Sequence, residues 1–192
     1  MSFSRTEINF RAGGAAGDGI ASIGEILNRV CTRLGLWTFA YNSYQSVIRG
    51  GHVWYSIRSA ENRVLAPGDR IDVLIAIDTQ TIDVHKVLMN PGGVIVFDDS
   101  KSKAENLPKD VIGVPVPLTE IAKSLKKPQV QNTVAMGAAM YFFGLPLETL
   151  LEVLADQFGA KSQEIIDMNR DAALAGYNHV KEKKLSIIPH KI

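Results

Sequence analysis

The chain has 192 residues, of which 46% are hydrophobic and 21% are charged, and its formal net charge is +1. These values are typical of a globular domain with a sizeable core, and they exclude a bulk electrostatic attraction to nucleic acid or to a membrane surface. The single cysteine, Cys31, excludes an internal disulfide and an iron–sulfur cluster held by this chain alone. Because no stretch approaches the ~20 apolar residues of a membrane span, and Met1–Glu7 has no apolar signal core, we expect a cytoplasmic protein.

Hydrophobic periodicity predicts strands that alternate with helices, followed by a helical C-terminal region. The expected strands are Ile8–Ala12, Leu36–Tyr41, Val53–Arg58, Ile71–Ile77, Val94–Phe97 and Val111–Val116. The expected helices are Gly19–Leu34, Gln80–Met89, Leu118–Leu125, Gln131–Phe143, Leu147–Phe158 and Gln163–Lys181. This order predicts a three-layer α/β fold with a Rossmann-like, largely parallel sheet and a ligand crevice at the carboxyl ends of the strands. Because no helix separates the second strand from the third, part of the sheet is expected to be antiparallel.

Local signals mark where several elements begin and end. Gly35 is placed to end the first helix in a left-handed conformation, and Asp78 or Thr79 is placed to cap the second helix. Asn90–Gly93 is expected to turn the chain, and Ser162 is expected to cap the last helix.

A glycine-rich turn between the first strand and the first helix is the main candidate for a ligand site. It reads Gly13-Gly14-Ala15-Ala16-Gly17-Asp18-Gly19. Glycines allow another molecule to approach the backbone closely, and the free N–H groups of the following helix attract an anion, most often a phosphate. The spacing is not G-x-G-x-x-G, no acidic residue follows the second strand, and no G-K-[ST] end is present, which argues against the dinucleotide fingerprint and the Walker loop. A tight connection without a ligand is the structural alternative.

A second polar loop, residues 42–51, lies between the second and third strands. Together, Gly-Gly-Ala-Ala-Gly-Asp-Gly at residues 13–19 and Ser-x-x-Arg-Gly-Gly-His at residues 46–52 resemble the gamma domain of 2-oxoacid:ferredoxin oxidoreductases. The resemblance runs from about Ile8 to Tyr177. It includes the blocks Ala66-Pro67, Asp72–Ala76, Asn90–Ile95 and Asn132–Ala139.

The resemblance implies a place in a multisubunit enzyme. The family oxidatively decarboxylates pyruvate, 2-oxoglutarate, indolepyruvate and related acids, forms acyl-coenzyme A and passes electrons to ferredoxin. Thiamine diphosphate, Mg and [4Fe-4S] clusters are expected on partner subunits only, because this chain lacks a cysteine cluster and Gly17-Asp18-Gly19 lacks the downstream part of a thiamine signature. Alpha, beta and ferredoxin-like delta subunits are the implied partners, and a homodimer is left open.

By the same resemblance the chain is a single gamma-type domain over residues 1–192, with a core at about 7–180 and a tail at 181–192. Its implied contribution is coenzyme A binding and assembly, with no catalytic residue and no metal ligand of its own. Many relatives have this domain fused to a thiamine-binding alpha domain, so a separate subunit and a piece of a longer chain both remain open. The alternatives of another class are a regulatory adenine-nucleotide-binding module and a ligand-free structural subunit.

By motif match, two segments carry the implied coenzyme A site, and Arg49 is the cation suited to a phosphate because its donors form a planar fork. The site residues are Gly13, Gly14, Gly17, Asp18, Gly19, Ser43, Ser46, Arg49, Gly50, Gly51 and His52. For His52, an ordinary hydrogen-bonded histidine is the alternative to a ligand contact.

The remaining polar residues that could carry chemistry are given structural roles. His85 is expected on the surface of a helix, and His179 and His190 are expected to be solvated. Asp98 and Asp99 could form a carboxylate pair or a metal site, but their position after a strand favours a cap and turn.

Aromatic and apolar residues suggest contacts beyond the core. Trp54 and Tyr55 are adjacent on a strand, so one should face the core and the other a site or a partner. The apolar late helices and the tail segment Ile187–Pro189 suggest more apolar surface than a lone domain needs, which predicts self-association or binding to other subunits.

Overall fold

Six strands form one mixed sheet in a computed structural model that describes residues 7–43 and 51–183. The strands are β1 (Glu7–Ala15), β2 (Trp37–Asn42), β3 (His52–Ala60), β4 (Ile71–Ala76), β5 (Met89–Asp98) and β6 (Ile112–Val116). Their order in the sheet is β2-β3-β1-β4-β5-β6. Strand β3 is antiparallel to β1 and β2, whereas β1, β4, β5 and β6 are parallel neighbours. The predicted α/β class, the largely parallel sheet and its antiparallel part are confirmed.

Six α-helices flank this sheet within the described residues. They are α1 (Ile20–Arg33), α2 (Thr79–His85), α3 (Leu118–Ser124), α4 (Gln131–Phe143), α5 (Leu147–Phe158) and α6 (Gln163–Glu182). Short 3-10 turns follow α2 at Lys86–Leu88 and precede α4 at Pro128–Val130. None of the described helices has the length and apolarity that crossing a membrane requires.

The two faces of the sheet are covered very differently. Helices α1 and α3–α6 pack on one face and share a large core with Ile8, Phe10 and Ala12 of β1. The other face is covered by α2 over β4 and β5, where a smaller core includes Leu74 and Ile82. We call these the apolar face and the polar face. Over β1, β2 and β3 the second face carries polar and aromatic side chains, and no helix within residues 7–43 and 51–183 is dedicated to covering it.

Close packing of α4 against α6 explains why the late helices are rich in small residues. A Cβ on Gly137 would collide with the backbone of Ala173, and a Cβ on Gly176 would collide with the backbone of Val134. The large hydrophobic side chains exposed in the described part of the chain are Trp37, Leu65, Val84 and Val87. None of these exposed residues lies in the late helices, where several apolar side chains, such as Ile165, Ile166 and Met168, are half-buried. Association of these helices with a partner stays a prediction. Segment Ile187–Pro189 lies outside the described residues.

Several local predictions hold and others are corrected. Gly35 ends α1 with a φ of 80°, and the Asp78 carboxylate accepts a hydrogen bond from the Thr81 backbone N–H at the start of α2, as expected. Ser162 precedes α6, but its side chain makes no capping hydrogen bond. Asn90–Gly93 lies within β5, which begins at Met89, and forms an irregularity there: Ile71 of β4 pairs with Met89 but Val73 pairs with Val94, and Gly92 has a φ of 77°. The second helix likewise ends at His85 rather than at Met89.

Candidate functional site

The carboxyl ends of the parallel strands bring the predicted site segments to one edge of the sheet. The residues after β1, β2, β4 and β5 lie there, as does the beginning of the antiparallel strand β3. A backbone hydrogen bond of 2.9 Å from the Ala16 N–H to the Gly51 carbonyl joins the glycine turn to the second loop. The glycine turn and Gly51, at the end of the second loop, are therefore neighbours in space.

The glycine turn is a short, ordered projection. Gly17 and Gly19 have backbone φ values of 106° and 77°, which residues with a side chain adopt only with strain. The Asp18 carboxylate accepts a hydrogen bond from the Ala15 N–H at 2.9 Å, and the Asp18 carbonyl accepts one from the Asn132 side chain at 2.7 Å. Ala16, Gly17 and Asp18 are exposed. The turn thus presents an exposed backbone whose conformation is held from both sides.

The same turn leads into the uncapped N-terminus of α1. Gly19 occupies the N-cap position, no side chain caps the helix, and its first turn contains no acidic residue. The free N–H groups and the positive end of the helix dipole are therefore not offset by a carboxylate within the first turn of α1, and the nearby Asp18 carboxylate is engaged by the Ala15 N–H. This arrangement favours an anion next to Gly17–Gly19.

Gly13 and Gly14 do not belong to the turn itself. They lie in β1, which extends to Ala15 because Ala15 pairs with His52 of β3. Both are buried. A Cβ on Gly13 would lie 2.6 Å from Thr81 Cγ2, and a Cβ on Gly14 would lie 2.9 Å from Ile20 Cδ1. Because neither glycine has a side chain, α2 can pack closely against Gly13 and α1 against Gly14.

The second loop is described only at its two ends. The Ser43 hydroxyl accepts a hydrogen bond of 2.7 Å from the Trp54 N–H, while the Ser43 N–H donates to the Trp54 carbonyl at 2.8 Å, which closes the end of the β2–β3 pair. Ser46, Arg49 and Gly50 lie outside the described residues. Gly51 contacts the glycine turn.

Beside these loops lies a largely buried set of polar and aromatic side chains that we call the Arg11 cluster. It consists of Arg11, Tyr41, His52, Trp54, Ser56 and His85. All but His85 project from β1, β2 and β3 on the polar face, as their pairing requires. Arg11 donates to Ser56 Oγ at 2.6 Å and to Tyr41 Oη at 3.4 Å. Arg11 was not selected from the sequence, although its place in an alternating strand, between the buried Phe10 and Ala12, could have indicated this face.

His85 contradicts its predicted place on the helix surface. It is 2% exposed and lies 3.0 Å from Arg11, measured from His85 Nδ1 to Arg11 Nη1. Burial, followed by the positive charge of Arg11 and the neighbouring His52, lowers the pKa of His85 to about 3. The periodicity placed His85 in a helix, but only the packing of α2 against β1 turns it inward.

The aromatic pair on β3 divides as expected between the two faces. Trp54 lies in the Arg11 cluster, where it stacks on His52 with ring centroids 5.6 Å apart. Tyr55 lies on the other face, where it packs over Gly24 of α1. Trp54 is therefore the site-facing residue and Tyr55 the core residue.

The acidic pair after β5 has a structural role. Asp98 is buried and accepts hydrogen bonds from the Ser100 hydroxyl at 2.8 Å, the Thr119 backbone N–H at 3.1 Å and the Gln131 amide at 3.1 Å. Asp99 is exposed. The expected cap and turn are confirmed. Over residues 7–43 and 51–183, no group of His, Cys, Asp and Glu has the arrangement of a metal site.

The other two histidines were expected to be solvated. His179 is instead half-buried, and burial together with Lys183 lowers its pKa. His190 lies outside the described residues.

Comparison with known proteins assigns the chain to a family. A family model described as pyruvate ferredoxin/flavodoxin oxidoreductase matches residues 9–179. The chain belongs to this family. The resemblance predicted from the two glycine motifs is therefore confirmed, and the matched range contains both of them.

Two relatives carry this region in different contexts. The chain is 24% identical to 2-oxoacid:ferredoxin oxidoreductase 2, subunit alpha, of Aeropyrum pernix, over 92% of this chain and 34% of that subunit. It is 27% identical to pyruvate synthase subunit PorC of Thermotoga maritima, over 94% of this chain and 98% of that subunit. The chain thus spans about a third of the alpha subunit and nearly all of PorC.

A solved structure supports the fold. The 2-oxoglutarate:ferredoxin oxidoreductase of Magnetococcus marinus, solved with 2-oxoglutarate, coenzyme A and succinyl-CoA bound, matches with a TM-score of 0.88 at 29% identity. The match covers 95% of this chain and 32% of that one. The mixed sheet and the helical C-terminal region of this chain therefore match the fold of this relative.

Proposed function

We propose that this chain is the gamma component of a 2-oxoacid:ferredoxin oxidoreductase and that it binds coenzyme A at the glycine turn. The single observation that carries the proposal is the uncapped N-terminus of α1, which follows an exposed turn and is joined to the second glycine loop at the sheet edge. Coenzyme A offers phosphate groups that suit such a site. The Magnetococcus marinus relative was solved with coenzyme A bound, which supports the choice of ligand.

In this proposal the complex oxidatively decarboxylates a 2-oxoacid to acyl-coenzyme A and passes the electrons to ferredoxin. Thiamine diphosphate, Mg and [4Fe-4S] clusters belong to alpha, beta and delta partner subunits, because the donor set here does not fit a cluster. The one cysteine, Cys31, is 1% exposed, and burial raises its pKa to about 11, so it is a thiol in the core and not a thiolate ligand.

The proposed site residues have two kinds of role. Gly17, Asp18 and Gly19 form the exposed turn at which the ligand phosphate would meet the N–H groups of α1. Gly13 and Gly14 shape the site from within β1. The second loop supplies the remaining proposed contacts, which are Ser43, Ser46, Arg49, Gly50, Gly51 and His52.

Domain organisation and location are part of the same proposal. The chain is treated as one gamma-type domain with its core at about residues 7–180, consistent with a single six-stranded sheet. The proposal also includes a cytoplasmic location and assembly with partner subunits. It leaves open whether two copies of the chain form a homodimer. The chain by itself should show no 2-oxoacid oxidoreductase activity and no iron–sulfur absorbance, and a brown, active preparation would contradict this.

The test is the affinity for coenzyme A, measured by calorimetry in the assembled complex. Arg49→Ala should weaken binding roughly ten- to a hundredfold, because a charge-assisted hydrogen bond contributes about 1.5–3 kcal/mol. Arg49→Lys should recover only part of the affinity, because a point charge cannot reproduce the guanidinium fork. Arg170→Ala, at an exposed position of α6, is the matched control and should bind as the wild type does.

Three outcomes separate the proposal from its alternatives. If Arg49→Ala leaves affinity unchanged but loosens subunit assembly, Arg49 serves an interface and not a phosphate. If the chain binds AMP in preference to coenzyme A, the regulatory nucleotide module replaces the proposed function. If coenzyme A, NAD and AMP all fail to bind, the chain is a structural subunit. The thermal midpoint of each variant serves as the control on folding.

A further inference from the structure

We infer that Arg11 and His85 are positioning residues that hold His52 as a neutral donor, with its hydrogen on Nδ1, beside the glycine turn. The three side chains form an unbroken series of contacts from β1 through α2 to β3. The role of His52 toward coenzyme A rests on the proposed function, whereas the arrangement of its hydrogen does not.

Arg11 sets the direction of the first hydrogen bond. Its side chain is 6% exposed, and its Nη1 lies 3.0 Å from Nδ1 of His85. A guanidinium has donors and no acceptor. Nδ1 of His85 must therefore present its lone pair, and neutral His85 carries its hydrogen on Nε2.

His85 in turn sets the state of His52. The two Nε2 atoms lie 2.9 Å apart, and only one of them can carry the shared hydrogen. Because His85 is the donor, Nε2 of His52 is the acceptor, so neutral His52 carries its hydrogen on Nδ1.

The same geometry opposes protonation of His52. An imidazolium has two donors, so its Nε2–H would face the Nε2–H of His85 and the bond between the rings would be lost. Burial lowers the pKa of His52, the charge of Arg11 adds to this, and the carboxylate of Asp78 and the Gly14 backbone oppose it. The network and the burial thus favour the same neutral form.

The fixed donor lies next to the glycine segment, where the Gly14 backbone interacts with the His52 ring without a hydrogen bond of good geometry to Nδ1. His52 is 6% exposed, and its Nδ1 is buried without a hydrogen-bond partner in the described part of the chain. A Cβ on Gly13 would lie 3.3 Å from His52 Cε1, and Trp54 stacks on the same ring. A buried N–H is normally paired, and the Gly14 backbone meets this need only in part. In this inference an acceptor oxygen of the ligand would complete the hydrogen bonding of the donor.

Nitrogen NMR on the full-length, ¹⁵N-labelled chain tests the hydrogen positions directly. His52 should show the Nδ1–H form and His85 the Nε2–H form. His85 should not titrate between about pH 5 and 8, and His52 should titrate at a lower pH than an ordinary histidine. His85→Gln should preserve the His52 form, because its amide can accept from Arg11 and donate to His52. His85→Phe should release His52 into a mixture of the two neutral forms that titrates at a higher pH than in the wild type, while His179→Phe should change nothing.

Two results would overturn the positioning role. One is an Nε2–H form of His52 in the wild type, which needs no variant and so does not depend on the folding of His85→Phe. The other is an unchanged His52 form in a folded His85→Phe chain.

Coenzyme A affinity in the assembled complex tests the ligand contact separately. His52→Phe and His85→Phe should each weaken binding roughly three- to tenfold, as expected for one hydrogen bond. The double variant should lose no more than the larger single loss, because both changes remove the same donor. His85→Gln should bind nearly as the wild type does.

The possible failures are distinguishable. Full affinity in His52→Phe, or additive losses in the double variant, would refute the ligand contact while the NMR result decides the positioning role. Absence of any coenzyme A binding to the wild-type complex would refute the proposed function and the ligand contact together, and it would leave the tautomer assignment to the NMR measurement.

Discussion

The two faces of strand β1 show how one stretch of sequence serves two purposes. Its side chains alternate between Ile8, Phe10 and Ala12 on the apolar face and Asn9 and Arg11 on the polar face. The apolar side packs against α1 and α4 within the large core, so its contribution grows with buried area and depends little on any single contact. The polar side depends on a few hydrogen bonds, each with a defined donor and acceptor. Small chemical changes there should therefore alter the protonation and tautomer of the side chains before they alter the free energy of unfolding.

The largest difference should appear when one aromatic ring is removed from each face. Phe143 is 1% exposed on α4 and packs on Phe10 with ring centroids 4.8 Å apart, whereas Phe39 is half-buried on the polar face. Phe143→Ala should lower the free energy of unfolding by about 3–5 kcal/mol, and Phe39→Ala by at most about 2 kcal/mol. Chemical denaturation of both variants measures this. Equal losses would mean that the two faces do not differ in packing as described.

The pH dependence of the free energy of unfolding should reveal the contribution of His85 on the polar face. The pKa of His85 falls from 6.5 to about 3 on folding, so the unfolded chain binds more protons below about pH 6.5. The contribution of His85 to stability is complete above that pH and is lost progressively as the pH falls toward 3. Between about pH 7 and pH 5 this amounts to about 2 kcal/mol.

The measurement compares the wild type with His85→Gln over that pH range. Carboxylates titrate in both proteins, so their effect cancels in the difference. The wild type should lose about 2 kcal/mol more than the variant as the solution is acidified. Parallel stability curves would show that His85 is protonated as easily in the folded chain as in the unfolded chain.

A smaller loss of stability should result from disturbing the close contact between Gly13 of β1 and Thr81 of α2. Gly13→Ala would place a methyl group 2.6 Å from Thr81 Cγ2, which should destabilise the fold by about 1–2 kcal/mol. Thr81→Ser removes that methyl group but keeps the hydroxyl that donates to Asp78 at 2.7 Å. The double variant should therefore recover part of the loss in thermal unfolding. No recovery would mean that the Gly13 backbone conformation, and not the contact with α2, requires glycine.

Much of the fold could be predicted because its signals are local. The apolar stripe of α1, the left-handed Gly35 and the Asp78 cap each depend on residues a few positions apart. The exposed part of the site was also predictable, because the glycine motif must lie between a strand and a helix. These features require no knowledge of which strands pair.

Strand pairing and helix placement decided the rest. Gly13 and Gly14 lie in a strand because β3 pairs with β1 as far as Ala15, and Met89 begins a strand because it pairs with Ile71 of β4. The sequence by itself determined the order of elements, the family and the position of the glycine turn. Only the tertiary structure decided that His85 is buried against Arg11 and His52, because that contact joins residues 33 and 74 positions apart, and no local pattern encodes a hydrogen-bond direction over such separations.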